Sequence, residues 1–134
     1  MAQEVTTLKG IEQGRASYAF KVVQEVSDSL KKEYKSAAKK LPVQIKMNGL
    51  GQSLAFLKSK GEKDEEKPKN AYDQLYEDIG IWLQTEDVKR LVEKDEELVK
   101  EVIQLESHAY RKATVETLAL LNWMRRFVDG LIEN

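Results

Sequence analysis

Ala113, Thr117, Leu120, Met124, Phe127 and Leu131 follow one another at steps of four and three residues. That rhythm returns to one side of an α-helix, because 3.6 residues make a turn. Leu118, Leu121, Val128 and Ile132 form a second apolar row beside the first. The spacing predicts a helix over about 108–131, apolar over a wide arc and therefore central to the domain or to an interface. The rest of the chain suits such a partner. Seven Gly and two Pro in 134 residues leave few turns, and turns are what a sheet protein needs. Abundant Glu, Lys, Leu and Ala lose little freedom in a helix.

Periodicity divides the remainder into helices. Leu8, Ile11, Arg15, Tyr18, Val22 and Val26 share a face of a helix over about 5–26, with Arg15 set among apolar neighbours. Ser27-Asp28-Ser29 reads as cap chemistry. A second helix is expected over about 30–40, closed at Leu41-Pro42, with a short one from Val43 to Met47. Asn48-Gly49-Leu50-Gly51 breaks that helix, since Gly permits positive φ and Asn tolerates it. A helix over 52–60 ends at Gly61. Residues 62–69 hold no apolar side chain, so about 61–70 is expected to be an exposed, mobile polar loop. Tyr72, Leu75, Tyr76, Ile79, Trp82 and Leu83 mark the next helix. Thr85 is expected to cap a short helix over 86–93, and Asp95 another over 96–106. With no internal repeat, residues 1–134 read as one domain. The fold class is all-α, a single compact helical bundle with a long hydrophobic C-terminal helix.

Reactive constellations are missing. With no Cys, disulfides, thiolate metal sites and thiol nucleophiles are excluded, and a cytoplasmic location is expected. His108 is the only His, and its neighbour Ser107 points elsewhere on a helix, so no triad forms. Asp64-Glu65-Glu66 lacks the spacing of a calcium loop, and Asp95-Glu96-Glu97 suits a helix start. No metal, cofactor or small-molecule substrate is expected. Residues 1–10 carry no signal-like apolar run, and no stretch is long and apolar enough for a membrane. The Asn48–Gln52 block precedes a helix whose N–H groups could meet a phosphate, but it follows no strand and lacks Gly-Lys-Ser/Thr. Its alternative role is a plain helix-to-helix corner. Trp82, Trp123, Tyr72 and Tyr76 sit at core spacings, which favours packing over base stacking.

Charge is unevenly spread. Residues 1–60 hold 11 Lys or Arg against 5 Asp or Glu, whereas residues 61–107 hold 7 against 15. Such polarity can offer a basic face to a polyanion and an acidic one to a basic protein. Lys39, Lys40 and Lys46 flank the Gly corner, Lys58 and Lys60 follow one helix later, and Arg111, Arg125 and Arg126 lie on the last helix. Clustered cations bind phosphates through counterion release, without sequence preference. Ordinary solvated side chains are the alternative.

Several blocks carry a family resemblance: Gly14-Arg15-Ala16 with Tyr18-Ala19, Lys40-Leu41-Pro42, Asn48-Gly49-Leu50-Gly51-Gln52, Tyr110-Arg111-Lys112-Ala113-Thr114, and Ala119-Leu120-Leu121-Asn122-Trp123 with Arg126-Phe127. Together, and in order, they resemble the small helical subunit of the type III-B (Cmr, RAMP module) CRISPR–Cas effector complexes of antiviral defence. Residues 61–70 and 84–106 carry little of the likeness. The resemblance implies a non-catalytic subunit whose partners are the other subunits of the complex, further copies of itself in a head-to-tail stack, and guide and target RNA. On that reading Lys39, Lys40, Lys46 and Lys58, with Arg15, Arg111, Arg125 and Arg126, contact the RNA backbone. For Arg15 the alternative partner is a carboxylate inside the bundle. The competing function is a helical protein–protein adaptor with no RNA contact.

Overall fold

The computed structural model describes residues 2–61, 68, 70–85, 91–92 and 97–133, with side chains from residue 10 onward. Among them every regular element is helical. The helices are α1 (Ala2–Gln24), α2 (Lys31–Asn48), α3 (Leu50–Lys60), α4 (Ala71–Leu83), α5 (Leu98–Ile103) and α6 (Ser107–Leu131), with a 3₁₀ turn at Asp28–Leu30. Residues 62–67 and 69 of the loop expected over about 61–70, residues 86–90 and 93 of the helix expected over 86–93, and the Asp95 cap lie outside the described residues. Leu91 and Val92, at the end of that expected helix, form a bend instead, with the Val92 N–H donating to the Leu83 carbonyl.

α6 packs against α1, α2, α4 and α5. Ala113, Thr117, Leu120, Leu121, Met124 and Val128 are fully buried there. Its apolar arc covers one side only, because Arg111, Val115, Asn122, Arg125 and Arg126 face solvent. The helix closest to burial all round is α4, where Leu75, Tyr76, Ile79, Trp82 and Leu83 join the core with two carboxylates, Asp73 and Asp78.

Several boundaries differ from expectation. The helix expected to close at Leu41-Pro42 runs on as α2 to Asn48, with Pro42 inside it. Proline removes one donor and crowds the preceding turn. The stripe of Tyr34, Ala38, Leu41 and Ile45 is buried on both sides of Pro42, and that burial outweighs the local penalty. Ser27 makes no side-chain cap bond; Asp28 instead pairs with Lys31 at 2.9 Å. Thr85 closes α4 by donating to the Trp82 carbonyl, and Glu106 ends no helix but caps α6 by accepting from the Ala109 N–H.

The apolar spacing predicts Trp123 in the core alongside Trp82. Trp82 is 2% exposed, whereas Trp123 is half-buried on the α1–α6 rim, donating to Glu12 at 2.7 Å and stacking on Phe127. Periodicity gives the inward side of a helix, but not how far the neighbouring helix covers a ring as large as an indole.

Candidate nucleic-acid interface

α2 and α6 lie antiparallel. Lys35 Nζ donates to the Ile132 carbonyl, Lys39 Nζ reaches Asp129 Oδ1, and the far end of α2 leads to Gly51, which meets Tyr110. Asp129 is the focus of the seam between them. Lys39 sits 2.9 Å and Lys35 3.8 Å from its carboxylate, and Arg125 adds to the field there. The Lys39 hydrogen bond, followed by these cations, holds the Asp129 carboxyl below the usual range. One carboxylate thus faces three cations. Lys46 is seven residues beyond Lys39, two turns on, and so extends the same side of α2. Arg111 and Arg125 are fourteen residues apart, about four turns, on one side of α6.

The proposed cations divide into three groups. Lys40, Lys46, Arg111, Arg125 and Arg126 are exposed and make no hydrogen bond or ion pair among the described residues. Lys46 and Arg125 lie on the sides of α2 and α6 that carry Lys39 and Asp129, Arg111 lies further along α6, beyond the end of α2 and beside Leu105 and Tyr110, and Lys40 and Arg126 each sit one residue, or about 100°, off that line. Lys58 stands apart on α3, paired with Glu97 at 2.6 Å and placed over the Tyr76 ring. Arg15 is the most engaged: its guanidinium makes two parallel hydrogen bonds to Glu116 and a third to Glu12. Trp82 donates to the same Glu116 carboxylate. This is the internal partner that the apolar setting of Arg15 left open. Burial pushes the Glu116 carboxyl up, but the bonds from Arg15 and Trp82 outweigh it and hold the group low. Lys31, Lys32, Lys35, Lys39 and Lys40 read from the sequence as a basic flank of α2, but the residues expected at the interface include neither Lys35 nor Asp129. Lys32, Lys39 and Lys46 at seven-residue spacing were a readable signal for one side of the seam; Asp129 as its focus required the helix pairing.

The Gly corner has its own geometry. Gly49 takes φ 88°, closed to most side chains, and a Cβ there would lie 3.3 Å from the Tyr110 hydroxyl. The Gly51 N–H donates to that hydroxyl at 2.9 Å. A protein group therefore already fills the place where a phosphate would have accepted from this helix start.

The family model of the CRISPR-associated protein Cmr5 (Cas_Cmr5) matches residues 11–131. The chain belongs to the Cmr5 family. The match spans α1 from residue 11 to the last residue of α6, so every helix that builds the seam falls within it. The CRISPR system Cmr subunit Cmr5 of Thermus thermophilus is 34% identical over 120 residues, covering 87% of this chain and 93% of that protein. The crystal structure of a CRISPR-associated Cmr5 family protein from Thermus thermophilus superposes with a TM-score of 0.71 at 31% identity, over 92% of this chain and 98% of that one. The all-helical architecture is thus that of the Cmr5 family. No helix among the described residues is long and apolar enough to cross a membrane.

Proposed function

We propose that the chain is the non-catalytic small subunit of an RNA-guided type III-B CRISPR–Cas interference complex. It stacks head to tail with further copies as an inner filament and lays the α2–α6 seam against the guide–target RNA backbone. Family membership supports the setting, since the Thermus relative bears the name of a Cmr subunit. The observation that carries the RNA contact is the imbalance at Asp129, where one carboxylate meets Lys35, Lys39 and Arg125, with Lys46 unpaired two turns further along α2; Arg111, further along α6, lies in the field of Glu106. Unopposed cations on one face are what phosphate binding requires. Arg forks clamp phosphate oxygens in pairs, whereas Lys contributes a point charge.

The adaptor reading draws on one observation of its own: Arg15, Lys39 and Lys58 already hold carboxylates within the chain. Lys46→Glu, Arg111→Glu and Arg125→Glu, assembled together into the complex, separate the two. If the seam touches RNA, target affinity falls and the slope of log affinity against log salt shrinks by roughly one per lost phosphate contact. Unchanged affinity and slope would put the adaptor reading in its place.

A further inference from the structure

The corner accounts for only part of the Asn48–Gln52 block. Its glycines turn the chain and meet Tyr110, but the side chains of Asn48 and Gln52 take no part in those bonds. They line a notch of about 140 Å³ between the end of α2 and the start of α3, completed by Gln44, Ser53 and Phe56. Gln44 and Asn48 are one turn apart on α2, and Gln52 and Phe56 one turn apart on α3, so two ridges make its walls. Ser53 is 2% exposed, and its hydroxyl has no hydrogen-bond partner. Gln44, Asn48 and Gln52 likewise have none among the described residues. Native structures seldom leave a buried hydroxyl unsatisfied.

The lining determines what could enter the notch. In a chain one-third charged, the notch contains no charged side chain. A carboxylate, a phosphate or a cation would be desolvated there without a counter-charge. Amides and a hydroxyl both donate and accept, which matches a neutral group that does the same. Beside the notch, Val43 and Met47 stand one turn apart on α2, 58% and 77% exposed. Unpartnered amides next to bare aliphatic side chains suit a polypeptide. A nucleobase fits less well, because no cation lines the notch for its phosphate and Lys60 already lies over one face of Phe56.

We propose that the notch receives a peptide group or a carboxamide side chain from a neighbouring protein of the assembly, with Val43 and Met47 packing on the aliphatic residues that flank it. The proposal rests on the reading of the chain as a subunit of a complex. Its test places p-benzoyl-phenylalanine at Met47, beside the notch rather than inside it, in a complex reconstituted with all its subunits and RNA. Illumination should join this chain to a polypeptide, and mass spectrometry should place the adduct next to an Asn, a Gln or a stretch of free backbone. An adduct with RNA overturns the proposal, and so does an assembled complex with no adduct. A companion variant, Gln52→Ala with Ser53→Ala, should leave the melting temperature of the isolated chain unchanged or raised, while its incorporation into the complex falls about tenfold, the effect of losing about one hydrogen bond at an interface. Full incorporation of that variant overturns the notch alone. A native chain that enters no complex overturns the notch and the subunit reading together.

Discussion

Arg15 on α1 grips Glu116 on α6 across 101 residues of sequence, with its Nε and Nη2 each on one carboxylate oxygen at 2.7 and 2.8 Å. Trp82 from α4 donates to the same carboxylate, so three helices meet at one acid. Removing one partner of such a pair strands a charge with little water around it, which costs more than the pair itself contributes. Arg15→Met should therefore lose about 2–4 kcal/mol of stability, and Arg15→Met with Glu116→Gln should lose less than the two single changes added together. Urea unfolding checks both. Arg15→Met assembled into the complex should leave the salt slope of RNA binding unchanged, which separates a strut from a phosphate contact.

The same pair predicts a weakening in acid. The Glu116 carboxyl is held below its ordinary 4.5, so it binds its proton less readily folded than unfolded. Its contribution is present above the unfolded value and is lost as pH falls through the folded one. Thermal melts across pH 3–6 should show a decline below pH of about 4.5 that Glu116→Gln removes.

Asp78 predicts the opposite slope at higher pH. Burial raises its carboxyl to about 7, against the hydrogen bonds from Tyr34 and Gln74, which pull it down. The folded chain then holds a proton that the unfolded chain releases, so stability falls as pH rises towards about 7 and levels off beyond it. Asp78→Asn, which cannot ionise, should flatten this slope and melt higher than the parent at pH 8. Melting temperatures between pH 5 and 8 decide the matter.

The two tryptophans should respond differently. Trp82→Ala removes a buried ring and an N–H bond to Glu116, at a cost of about 3–5 kcal/mol. Trp123→Ala removes a half-buried ring from the rim and should cost about 1–2 kcal/mol. Equal losses in thermal denaturation would mean that Trp123 is as fully packed as Trp82.

Gly49 and Tyr110 form a unit at the corner. Gly49→Ala forces a side chain into φ 88° and towards the Tyr110 hydroxyl, which should cost about 1–3 kcal/mol. Tyr110→Phe leaves the Gly51 N–H without its acceptor and should cost about 1 kcal/mol. Chemical denaturation of the two variants measures both effects.

The sequence by itself determined the fold class, the course of α1, α3, α4 and α6 to within a few residues, and the break at Gly49. These follow from local rules: the period of an apolar stripe and the backbone freedom of glycine act within a few residues. The blocks from Gly14 to Phe127 also carried the family, because the order of several short motifs is itself a property of the chain. Only the tertiary structure decided what depends on which helices lie side by side. Pro42 stays inside α2 because Leu41 and Ile45 are buried against other elements. Trp123 lies at the rim because α1 covers only part of it. Arg15 faces Glu116, and Lys39 faces Asp129, because α6 packs between α1 and α2. A cation's spacing along its own helix tells which side it points to. Whether it meets a carboxylate or solvent there is a matter of the neighbouring helix, at separations of 90 to 101 residues that no local pattern encodes.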